Sequence, residues 1–184
     1  MFHHLSHFRR IFVTGPHRSG TRIATRMIAR DTGHFYVDET MIWESPIGIK
    51  AYSQWYPAGV VFHGPLLMHI LPKIATAEDC VILMRRPVEE CERSARRIGI
   101  TPGAEQAERV CWYRELGFAQ PDINAATMAA FKYEAWRRFV QRDITAKLIE
   151  VDYHSLKSHT LWRDDRDGFR WDQTGPKDFR SRQP

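Results

Sequence analysis

The run Gly15-Pro16-His17-Arg18-Ser19-Gly20-Thr21-Arg22 holds two glycines five positions apart, two hydroxyl side chains and two guanidinium groups. Glycines so placed let the backbone curl until successive N–H groups converge on one anion, and a helix starting at the end of the run adds its N-terminal dipole. The chemistry implied is recognition of a phosphate or sulfate group, with Arg18 as the cation inside the loop. A second concentration of arginines follows at Arg85, Arg86, Arg93, Arg96 and Arg97, with Ser94 among them. Guanidinium groups grip phosphate oxygens in pairs, so these clusters suit a polyanionic small molecule or nucleic acid. Lys and Arg outnumber Asp and Glu by 27 to 22, and that net charge of +5 does not choose between the two.

In a nucleotide kinase or ATPase a loop of this kind closes with Gly-Lys-Ser/Thr, the lysine reaching the β- and γ-phosphates and the hydroxyl a magnesium ion. Here Thr21 stands in the lysine position and Arg22 in the hydroxyl position. The apolar run 80–84 ends in Arg85, where a triphosphate hydrolase often places an aspartate for magnesium. No metal is therefore expected, and metal-assisted phosphoryl transfer is disfavoured. Cys80, Cys91 and Cys111 are odd in number and lack metal-ligand spacing, so they are expected as reduced thiols.

These groups must be positioned by a scaffold, and 184 residues provide one compact domain, expected over 1–163, with an irregular tail or lid over 164–184. Hydrophobic residues at 43% and charged residues at 27% are an ordinary globular balance. The apolar runs are strand-sized and far below the roughly 20 residues of a membrane span, and Arg9 and Arg10 are not followed by a signal-peptide core. A soluble, cytoplasmic protein is expected. β-Branched and apolar runs predict strands over 11–14, 35–37, 60–62, 80–84 and 147–151, and a helix over 21–30. Leu66, Ile70 and Ile74 mark one helical stripe, and Met128, Phe131, Ala135, Trp136, Phe139 and Val140 a longer one. Strands alternating with helices, and nearly all apolar, predict a three-layer α/β/α fold around a parallel sheet.

The first loop resembles the 5′-phosphosulfate loop of the sulfotransferase family, Pro-Lys/Arg-Ser-Gly-Thr-Thr after the first strand. Arg18-Ser19-Gly20-Thr21 matches its core, with His17 in the place of the proline and Arg22 in that of the second threonine. The family's 3′-phosphate motif is an arginine ending a strand, Arg-x-Pro, with a serine eight residues after the arginine. Arg85-Arg86-Pro87 fits, but eight residues after Arg85 is Arg93 and Ser94 comes one later. Either Arg86 is the functional arginine or the helix is re-phased.

The resemblance implies a P-loop NTPase-like, sulfotransferase-like fold and transfer of a sulfuryl group from 3′-phosphoadenosine-5′-phosphosulfate (PAPS) to a hydroxyl or amine, with 3′,5′-adenosine bisphosphate as product. It implies Gly15, His17, Arg18, Ser19, Gly20, Thr21 and Arg22 at the 5′ end of the donor, and Arg85 and Ser94 at its 3′ end. Arg18 would stabilise the leaving phosphate. Two residues are candidates for the base. His63 ends the third strand, as a histidine does in family members that read Lys-Thr-His-Leu-Pro, and Glu39 follows the second strand, where heparan-type members place a glutamate. An imidazole titrates near neutrality, which favours His63.

Trp43, Tyr52, Trp55 and Tyr56 are candidate walls of an acceptor pocket, and residues 166–171 resemble the family segment that closes over the nucleotide. The partners implied are the donor nucleotide and an acceptor the sequence does not identify, with neither membrane nor nucleic acid and with the oligomeric state open. Two other readings compete: a P-loop kinase of a small metabolite or nucleotide, and a non-catalytic module that binds nucleotide or polyanion.

Overall fold

The computed structural model describes residues 1–38, 58–100, 102–116, 123 and 125–162. Glu39, the aromatic residues Trp43, Tyr52, Trp55 and Tyr56, and the expected tail with its 166–171 segment lie outside the described residues. Five strands, β1 (Arg10–Thr14), β2 (Phe35–Asp38), β3 (Val60–His63), β4 (Cys80–Arg85) and β5 (Lys147–Asp152), form one sheet in the order β2-β3-β1-β4-β5. Every pairing is parallel.

Alternation along the strands makes two cores, because successive side chains point to opposite faces. Ile11, Val13, Val61, Ile82 and Met84 pack with Ala24, Met27 and Ile28 of α1 (Thr21–Thr32). Phe12, Phe62, Val81 and Leu83 pack on the other face with Trp112, Phe131 and Trp136. Among the described residues the remaining α-helices are a short α2 (Leu71–Ile74), α3 (Val88–Arg97), α4 (Pro102–Leu116) and α5 (Met128–Ala135). Two helical layers around a parallel sheet, with a glycine loop between β1 and α1, make this the three-layer, P-loop NTPase-like fold expected. Among the described residues no helix is long and apolar enough to cross a membrane.

Several boundaries depart from the sequence expectation. The strands β2, β3, β4 and β5 each run one residue further, and those last residues are Asp38, His63, Arg85 and Asp152. Edge position explains why β2 and β5 are partly exposed, whereas the inner strands are almost wholly buried. The stripe around Ile70 folds as a 3-10 turn, Met68–Ile70, followed by α2 with Pro72 in its first turn, where a missing N–H costs nothing. The longer stripe continues past α5 as a π-helical segment, Trp136–Val140, which keeps Trp136 and Val140 in the core.

Two polar anchors brace the sheet. Arg10 donates from Nε to Asp79 Oδ1 at 2.9 Å and from Nη2 to Asp79 Oδ2 at 2.6 Å, both residues being buried. Tyr133 of α5 donates its hydroxyl to the Met84 carbonyl at 3.0 Å and accepts from the Arg86 N–H at 3.0 Å, which fixes the end of β4.

Candidate functional site

The carboxyl ends of parallel strands are where an open α/β sheet exposes loops and helix N-termini to a ligand. Between β1 and α1 the chain turns through Gly15 at φ +144°, Arg18 at φ 68° and Gly20 at φ +95°. Arg18 is the one non-glycine residue in the left-handed region among the described residues, a conformation that costs energy and recurs at ligand sites. The buried Ser19 closes the turn from within, its hydroxyl donating to the Pro16 carbonyl at 2.7 Å and its N–H to the same oxygen at 3.1 Å. The structure thus places the Ser19 side chain inside the loop and not on the cleft.

Both glycines are dictated by packing. A Cβ on Gly15 would lie 2.7 Å from Ser19 Oγ and 2.9 Å from the Met84 carbonyl oxygen, and one on Gly20 would collide with the Tyr153 ring. Replacing Gly20 by alanine is therefore expected to destabilise the fold by about 1–3 kcal/mol through strained backbone and displaced ring, and to weaken phosphate binding. Urea unfolding and phosphate titration of the same variant check both.

A cleft of about 480 Å³ opens above this loop. Arg18, Arg22, Arg26, Arg86 and Arg97 line it with His17, His63 and Ser94, and no carboxylate does so among the described residues. Arg18 donates from Nε to Ser94 Oγ at 2.9 Å, tying the loop to α3. Arg86 donates from Nη1 to the Arg18 carbonyl at 2.9 Å, pairs with Glu90 at 3.0 Å and stacks 3.9 Å from the Tyr153 ring centre. Glu90 and Ser94 stand four residues apart on one side of α3, and Arg86, just before the helix, reaches that side through Glu90.

Arg85 is elsewhere. It lies over the Tyr133 ring at 4.6 Å, with Nε 3.8 Å from Glu150, and does not line the cleft. Of the two arginines it is Arg86 that lines the cleft, and Ser94 stands eight residues after it. Among the other sequence candidates, Gly20, His17, Arg18, Thr21, Arg22, Ser94 and His63 meet in the cleft, whereas Gly15 shapes the loop from behind.

His63 is brought to this cleft by strand register, since β3 pairs it with Val13 of β1 on one side and Asp38 of β2 on the other. Its Nε2 lies 3.0 Å from Thr21 Oγ1, and its Nδ1 lies 3.4 Å from Asp38 Oδ2. Asp38 also accepts a short hydrogen bond from the Tyr36 hydroxyl and stands 3.5 Å from Arg22 Nε. Burial and the neighbouring Asp38 push the Tyr36 phenol far above its ordinary range, so it remains a donor.

Sequence reasoning passed over Asp38, although parallel pairing of the second and third strands would have set it beside His63. It also passed over a second chain of charges behind the loop. Fully buried Lys132 donates to the Pro65 carbonyl at 3.1 Å and pairs closely with Glu108, whose Oε2 lies 3.2 Å from His17 Nε2. Burial alone would raise the Glu108 carboxyl, but Lys132 and His17 outweigh it and bring it down to about 2. A lysine inside an apolar stripe carries no sequence signal that separates a buried charge from an exposed one.

No family model matches the chain, and no curated protein matches it. Among solved structures it is similar to shikimate kinase from Acinetobacter baumannii in complex with shikimate, at 13% sequence identity and a TM-score of 0.42, with 82% of this chain and 88% of that chain covered.

Proposed function

We propose that the cleft binds PAPS and that the chain is a sulfotransferase, passing the sulfuryl group to a hydroxyl or amine of an acceptor. One observation carries this reading: the loop arginine and the Arg86–Ser94 segment are joined in a single cleft, because Arg18 donates to Ser94 of α3 and Arg86 donates to the Arg18 carbonyl. A donor with anionic groups at two separate ends fits such a cleft. Its size, about 480 Å³, falls within the roughly 300–1,000 Å³ of small-molecule sites. When bound, PAPS supplies an electrophilic sulfuryl group on its 5′-phosphate and a 3′-phosphate handle.

The chain's own groups then divide the work. Arg18, Arg22 and the N–H groups at the start of α1 neutralise the 5′ end, where charge grows on the leaving phosphate. Arg86, Ser94 and Arg97 hold the 3′ end. The acceptor's proton goes to His63 or to Glu39.

A P-loop kinase of a small metabolite or nucleotide is the second reading. The sheet and the glycine loop between β1 and α1 suit phosphoryl transfer to a hydroxyl as well. Calorimetric titration with 3′,5′-adenosine bisphosphate, AMP and magnesium-ATP separates the two. Sulfuryl transfer requires tight, metal-independent binding of the bisphosphate and much weaker binding of AMP; a preference for magnesium-ATP would replace it by the kinase reading. Salt-sensitive binding of any polyanion, without preference among nucleotides, would leave a binding module.

A further inference from the structure

His63 is 4% exposed, with Nε2 facing a hydroxyl, which can donate or accept, and Nδ1 facing a carboxylate, which only accepts. Nδ1 looks toward Asp38 Oδ2 at ion-pair distance, 3.4 Å. Nδ1 makes no hydrogen bond, but the neighbouring carboxylate favours a proton there, and Nε2 then accepts from the Thr21 hydroxyl, 3.0 Å away. That hydroxyl owns a single proton. While the proton points at His63, it is not available to a phosphate oxygen in the cleft that Thr21 lines. Once His63 is protonated, Nε2–H donates to Thr21 Oγ1, and the hydroxyl proton is released toward the ligand.

We infer that binding of a phosphate dianion at the loop draws a proton from solvent onto His63, and that Asp38 is the positioning residue that holds the resulting imidazolium. The inference rests on reading the loop as a phosphate site, and it deepens the proposed function by giving His63 the part of a third cation facing the 5′-phosphate of the product.

Asp38, on β2, favours the imidazolium, with Tyr36 donating to that carboxylate. Arg22 and Arg26 of α1 oppose it, as do Arg18 and His17 of the loop and Arg86 after β4, all of which line the same cleft. Incoming phosphate charge offsets these cations and tips the balance toward protonation.

Calorimetry of 3′,5′-adenosine bisphosphate binding tests this at pH about 8, where the ligand's phosphates, with second pKa values near 6, are already dianionic. Buffers of different ionisation enthalpy should reveal an uptake of close to one proton, and affinity should fall as pH rises. Nitrogen-15 spectra of His63 should change from one protonated ring nitrogen to two on saturation. Uptake should vanish in Asp38→Asn and in His63→Gln, and survive in Thr21→Ser. Tight binding with no uptake and an unchanged ring would overturn the inference while leaving the donor reading intact. If the bisphosphate fails to bind but inorganic phosphate binds with uptake, the donor reading falls and the inference stands. If neither ligand binds, both fall.

Discussion

Replacing Arg18 by alanine is expected to weaken binding of 3′,5′-adenosine bisphosphate by about a hundredfold, equivalent to about 2.7 kcal/mol. The side chain is exposed at the mouth of the cleft and joins the loop to Ser94, so the loss falls on the ligand more than on the fold. Hydrogen bonds to charged groups contribute about 1.5–3 kcal/mol each, and a guanidinium offers two toward one phosphate. Arg18→Lys should recover part of the affinity, because it keeps the charge but loses the planar fork. Ser94→Ala, which removes one neutral hydroxyl, should cost much less. Unchanged bisphosphate affinity in Arg18→Ala would remove the loop arginine from the site and with it the link between the two anion positions.

The largest effect on stability is expected from Asp79→Asn. Asp79 is 0% exposed and Arg10 5% exposed, and the carboxylate also accepts from the Thr76 N–H at 2.8 Å and the Thr76 hydroxyl at 2.9 Å. Asparagine keeps the shape but leaves the guanidinium buried without its counter-charge, a change that typically costs 3–5 kcal/mol. Urea unfolding measures it, and a loss below about 1 kcal/mol would show that the Ile74 carbonyl, 3.1 Å from Arg10 Nη2, suffices as a partner. Burial acts to raise the Asp79 carboxyl, but Arg10 and Thr76 outweigh it and hold it below the usual carboxylate range. A carboxyl depressed on folding stabilises the fold fully above its unfolded value of about 3.9 and loses that contribution as pH falls toward the folded value. The wild type should therefore lose stability on acidification below pH about 4 more steeply than the asparagine variant.

The sequence reveals the fold most clearly where local pattern and spacing coincide. A β-branched run, two glycines and a helical apolar stripe define β1, the loop and α1 without any tertiary information. The phase of the second site was not legible, because Arg85 and Arg86 both precede Pro87 and only the direction of each side chain separates them. Tyr133 settles it by holding the backbone between them, from a helix nearly fifty residues away in the chain. Asp38 escaped notice for a related reason: its neighbour in space, His63, is set by the pairing of β2 with β3, and pairing is long-range. Lys132 was hidden by its company, since it sits among Phe131, Ala135 and Trp136 in a stretch that reads as plain core.

The contact of Tyr153 with both Gly20 and Arg86 has a consequence for synthesis on the ribosome. A nascent chain that has emerged through α3 already owns the loop, Asp38, His63, Arg86 and Ser94. It still lacks β5 and the aromatic ring that stands behind the loop. Parallel strands cannot close until their distant partners arrive, which makes such sheets slow to complete. Translation thus leaves the arginine-lined cleft among the last parts of the molecule to mature, and a release stalled before Tyr153 would yield a chain with the residues of the cleft but without the wall that shapes them.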